Sequence, residues 1–163
     1  MEYFETLIGI ASLAIALAGF SGVVVAFGSR RQGAWLPGDR LRLGFLIEAS
    51  FTATGFSLIS LVLLYSIPET PSQAWRISSG LWAAYMLWSL ISSHLQIKKN
   101  DVDHDDIDRI ANKVVTVVFL VLIGWQCFNA VESAEFAPFL AALSFNIAGA
   151  AMQFGRLIKS AFH

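Results

Sequence analysis

Long apolar stretches alternate with short polar breaks along this chain. Five stretches stand out, at residues 5–28, 43–67, 76–96, 111–130 and 136–158. Each is near the ~20 residues that carry an α-helix across ~30 Å of hydrocarbon, at about 1.5 Å per residue. None alternates apolar and polar positions over any length, which argues against a lipid-facing β-barrel. The breaks hold ordinary stop signals. Gly28, Gly33, Pro37 and Gly38 punctuate the first, and Pro68 and Pro71 the second. Residues 100–108 form the third. Pro138 falls in the first turn of the last stretch, where a missing N–H costs little. The pattern predicts an all-α integral membrane protein, a bundle of about five transmembrane helices, with residues 1–163 as a single transmembrane domain.

Charge orients the prediction. Lys and Arg collect on the cytoplasmic side of membrane proteins. With five spans, Arg30, Arg31, Arg40, Arg42, Lys98, Lys99, Arg109, Lys113, Arg156 and Lys159 share one side, and only Arg76 lies on the other. That places the N-terminus outside and the C-terminus in the cytoplasm, as expected for a bacterial cytoplasmic (inner) membrane. Glu2, Glu5, Glu69, Glu132 and Glu135 then face outside, where they would mildly concentrate cations. Because Met1 to Thr6 carries Glu2 and Glu5 and no Lys or Arg, and the apolar run continues to Phe27, the first stretch reads as a retained helix rather than a secretory signal. Tyr3, Tyr65 and Trp75 fall near the outer interface and Trp35 near the inner one, as belt residues do. Trp82, Tyr85 and Trp88 follow at spacing three and read as one bulky face.

Composition agrees. The chain is 56% hydrophobic and 14% charged, with mean hydropathy +0.62, against about 25% charged residues in soluble domains. A net charge of −1 gives no reason to expect a nucleic-acid partner. The single cysteine, Cys127, rules out an intrachain disulfide and a cysteine metal cluster.

Once the charges are assigned, Glu48 is the one the topology leaves unexplained. A carboxylate within a span is costly and marks a functional site by default. Helical spacing puts Gly44, Glu48, Thr52, Gly55 and Ile59 on one face. The last stretch has a similar stripe of Ala142, Asn146, Gly149, Gln153 and Arg156. Ser21 and Thr116 reach a depth close to that of Glu48. The expected ion path is therefore Glu48, Thr52, Gly55, Asn146, Gln153 and Ser21, with Arg156 and Lys113 as candidate ion-pair partners for Glu48. Alternatively, the same layer only holds the helices in register. In the first stretch, Gly9, Ser12, Ala16 and Gly19 form a ridge of small residues that lets helices approach closely. It reads as a packing face, an oligomer contact or a pore lining.

The third break carries alternating aspartates. An EF-hand needs Gly at its sixth position and Glu at its twelfth, and here those are Asp106 and Asn112. Asp101, Asp103 and Asp105 remain candidate metal ligands, but Asp105 or Asp106 capping the fourth helix is the simpler reading. No His-x-x-x-His, Gly-x-Ser-x-Gly or Walker loop is present. No enzyme activity and no cofactor are expected. The expected function is an oligomeric membrane channel or pore subunit that passes small ions, cations or protons. A homo-oligomer is the natural way for a small chain to enclose a path within the lipid bilayer. The alternative is a non-conducting accessory or scaffold subunit of a larger membrane complex.

Overall fold

The computed structural model describes residues 2–32, 37–99 and 109–162, and all of them outside short turns are helical. Five helices follow in chain order: α1 (Glu2–Gln32), α2 (Pro37–Ser66), α3 (Pro71–Lys99), α4 (Arg109–Phe128) and α5 (Phe136–Phe162). A π-helical turn, Asn129–Ser133, extends α4. Pro37 and Pro71 open α2 and α3, the position where a fixed φ helps and a missing N–H is no loss. At α3 the Thr70 carbonyl accepts the Gln73 N–H at 3.0 Å, closing the first turn.

Four of these helices are long and apolar enough to cross a membrane, along Tyr3–Val24, Arg40–Ser66, Lys113–Ser133 and Phe136–Lys159. The third has the length, 29 residues, but is the least hydrophobic of the five. Serines and tryptophans take positions that the other helices give to Leu, Val and Ile.

The chain forms two compact units, Met1–Ser66 with Leu143–His163, and Ile67–Ala142. In the first, α1 packs on α2. The buried face of α1 runs along Leu7, Ala11, Ala14 and Ser21, the alternating four-and-three spacing of a helix–helix seam. On α2 it runs along Leu46, Ser50, Ala53, Ser57, Ser60 and Leu64. Leu46, Ala150 and Leu157 form an apolar cluster, with Leu17, Val24 and Phe154 against it.

In the second unit α3 and α4 run antiparallel. Arg76 reaches the carbonyls of Val131 and Glu132 at 2.8 and 3.4 Å, and Ser79 meets Asn129 at 2.8 Å. Rising positions on α3 thus meet falling positions on α4. The Arg76 guanidinium supplies donors to carbonyls that a helix end leaves without partners.

The turn into α5 is tight. Ala134 takes φ 51° and ψ 43°, and its N–H donates to the Asn129 carbonyl at 2.9 Å. A left-handed L-residue costs about 1–2 kcal/mol. Ala134→Gly should raise stability by about 0.5 kcal/mol, the relieved strain less the extra freedom glycine brings to the unfolded chain. Ala134→Val should lower it by about 1 kcal/mol or more, because a branched Cβ fits this region worse still. Denaturant titration of the two variants in micelles should give opposite signs; equal losses would mean that burial, not φ, governs the site.

Two aromatic expectations change. Trp75 is only 3% exposed, with its ring 4.8 Å from Phe136 and 6.1 Å from Phe139. It is a packing residue and not an exposed belt. Trp82, Tyr85 and Trp88 do not share a face: Trp82 is fully buried and Trp88 is 70% exposed. Three-residue steps turn a helix by about 300°, so two such steps separate the outer pair by about 120°. Tyr3 and Tyr65 are exposed, and Trp35 lies outside the described residues.

Candidate functional site

Polar side chains collect on the buried side of the first unit. Ser21, Ser50, Thr52, Thr54, Ser57, Ser60 and Asn146 are all buried. Some of the hydroxyls are met locally. Ser21 donates to the Ala18 carbonyl, Ser57 to Ala53 and Ser60 to Phe56, at 2.6–2.8 Å. This bonding back to the preceding turn lets a serine sit in an apolar seam. Thr54 instead crosses to α1 and reaches the Ala11 carbonyl at 3.5 Å. Three polar atoms stand apart. Ser50 Oγ, Asn146 Nδ2 and Gln153 Oε1 are buried and meet no hydrogen-bond partner among the described residues. Ser50 lies one helical turn from Leu46, and Asn146 one turn from Ala150, so both border the same apolar cluster.

The residues expected to line an ion path divide accordingly. Ser21, Thr52 and Asn146 are buried; Glu48, Gly55 and Gln153 are half-buried. Glu48 sits on the flank of α2, one turn from the exposed Gly44 and three residues from the exposed Phe51. The buried polar ridge of α2 starts two residues further on, at Ser50, which rotates it by about 200°. Arg156 and Lys113 are exposed.

The small ridge of α1 also lies elsewhere than a packing face within the chain would require. Gly9, Ser12, Ala16 and Gly19 are exposed, and a Cβ built on Gly9 or Gly19 meets nothing within 4 Å. The intrachain seam follows Leu7, Ala11 and Ala14, again offset by two residues. Asp101, Asp103 and Asp105 lie outside the described residues. Among the described residues no group of three or more His, Cys, Asp or Glu side chains could hold a metal.

Two polar residues outside the expected ion path are central to the second unit. Asn129 is fully buried and uses its whole amide. Its Nδ2 donates to Ser79 Oγ at 2.8 Å and to the Glu135 carbonyl at 2.9 Å. Its Oδ1 accepts from Ser133 Oγ at 2.8 Å and from the Glu135 N–H at 2.9 Å. Two donors and two lone pairs are all such a group has. One turn earlier, the buried Gln126 donates its Nε2 to the Pro138 carbonyl at 2.7 Å. Both residues lie in residues 117–130, which are otherwise apolar. The rule that singled out Glu48 and Asn146 would have found them too.

Compared with protein-family profiles, curated proteins and solved structures, the chain gives no match.

Proposed function

We propose that this chain is the subunit of a homo-oligomeric membrane channel that passes small ions, cations or protons. The observation that carries the reading is the set of unpartnered buried atoms, Ser50 Oγ, Asn146 Nδ2 and Gln153 Oε1. They lie within helices long and apolar enough to span a membrane. A buried neutral polar group without a partner costs about 1–3 kcal/mol, a cost that water or a passing ion would offset. In this reading the five helices span a bacterial cytoplasmic membrane with the N-terminus outside, an orientation supported by the ten basic residues assigned to one side. Glu48, on the flank of α2, belongs in this reading to the edge of the path.

The test is flux into liposomes carrying the purified protein, read with proton- and potassium-sensitive dyes. Wild-type protein should exceed protein-free vesicles. Asn146→Leu should cut the rate by about tenfold, the effect of roughly 1.4 kcal/mol on a barrier. Glu48→Gln should lower it less. Wild-type flux no greater than that of empty vesicles would end the reading; undiminished flux in Asn146→Leu would remove the α2–α5 polar atoms from the path.

A second reading, a non-conducting accessory or scaffold subunit, draws on the exposed Gly9–Gly19 ridge. Bare small residues suit close approach by another helix. Absence of flux together with stable co-purification of other membrane proteins would select it.

A further inference from the structure

The α3–α4 seam holds a donor and an acceptor that nothing described so far uses. Trp82 Nε1 and Gln126 Oε1 are buried atoms without a hydrogen-bond partner among the described residues, and both side chains are 0% exposed. Their placement follows from the bridge between Ser79 and Asn129. Trp82 is three residues beyond Ser79 on α3, and Gln126 three before Asn129 on α4. The helices are antiparallel, so both lie about 4.5 Å from the bridge in the same direction. Three-residue spacing also keeps each on the face its bridge residue presents to the other helix.

We propose that a single water molecule is bound here, accepting a hydrogen bond from Trp82 Nε1 and donating one to Gln126 Oε1. The two groups are complementary for such a bridge. An indole offers only a donor. The Gln126 amide cannot turn over, because its Nε2 donates to the Pro138 carbonyl at 2.7 Å and a flip would set two acceptors against each other. Its Oε1 therefore stays an acceptor. The neighbouring Asn129 amide cannot relieve either atom, since its own donors and acceptors are filled. Buried waters are held by two to four polar partners, and this pair supplies two. The site takes a small neutral hydroxylic molecule. A metal cation has only one acceptor here, and an anion would face the Gln126 carbonyl.

The water is independent of any flux through the first unit, and its test does not use flux. Indole-¹⁵N-labelled protein in micelles gives one N–H signal for each of the five tryptophans, and Trp82→Phe identifies the one of interest. A rotating-frame Overhauser cross-peak between the Trp82 indole proton and water, with the sign of dipolar contact rather than exchange, is the expected result. In Gln126→Met that cross-peak should vanish while the other four indole signals keep their positions. No water cross-peak in the wild type overturns the proposal, whether the pair is dry or bonded directly. A cross-peak that persists in Gln126→Met also overturns it, since the water would then be held by other groups.

Discussion

Replacing Asn129 with Leu should lower stability by about 3–4 kcal/mol, near the largest effects of single substitutions. Leucine keeps the branched shape while removing every donor and acceptor, so most of the loss comes from hydrogen bonds. Four contacts disappear, at 2.8–2.9 Å each. The Ser79 and Ser133 hydroxyls can turn to carbonyls of their own helices. The Glu135 N–H and carbonyl, at a residue whose side chain is exposed, lose the other two bonds, and each bond of the four is worth about 0.5–1.5 kcal/mol net. The left-handed turn at Ala134 also rests on position 129, but through its main-chain carbonyl, which the substitution keeps. Ser79→Ala removes one acceptor and should cost about 1 kcal/mol. Denaturant titration in mixed micelles, followed by far-ultraviolet circular dichroism, measures both. A loss within about 1 kcal/mol for Asn129→Leu would show that the amide cluster does not hold the α4–α5 turn.

The second large effect is expected at Trp75. Truncating a buried tryptophan costs about 3–5 kcal/mol in soluble cores. In the membrane setting of the proposed channel the transfer part shrinks, because lipid is as apolar as the interior. Cavity and ring contacts with Phe136 and Phe139 remain, so Trp75→Ala should cost about 2–3 kcal/mol. Trp88→Ala, at a side chain that is 70% exposed, should stay within about 0.5 kcal/mol. Equal losses at the two positions would contradict the packing role given to Trp75. The pair also separates two explanations for tryptophan near a helix end, since a belt residue and a wedge between helices look alike in a sequence.

Helix positions were legible because they depend on what interrupts an apolar run. Pro37 and Pro71, expected as breaks, instead open α2 and α3 six and five residues before the apolar stretches begin, and the other ends lie within a few residues of the apolar boundaries. Rotational settings were not legible. A helix that is apolar all round has no face that hydrophobicity marks as interior. Small size was the remaining guide on α1, and it chose Gly9–Gly19 over the Leu7–Ala14 ridge on the opposite side. On α2 the single charge, Glu48, drew attention to a flank, while the uncharged serines at positions 50, 57 and 60 formed the buried ridge. Asn146 was found because it stands alone near the middle of its stretch. Asn129 is inconspicuous in the sequence because it lies where α4 ends and reads as a boundary. Its importance arises from Ser79, fifty positions earlier, a pairing that no local pattern encodes.

The open space around Gly9 and Gly19 leaves a mismatch within α1. A glycine inside a helix is worth about 1 kcal/mol less than an alanine, and nothing within 4 Å of either position would obstruct the added methyl. For the isolated chain, then, alanine is the better residue at both places. The two glycines weaken a helix whose own packing gains nothing from their smallness. Substituting them distinguishes a self-contained fold from a dependent one: a single chain should become slightly harder to unfold, while an assembly closed over that ridge should come apart.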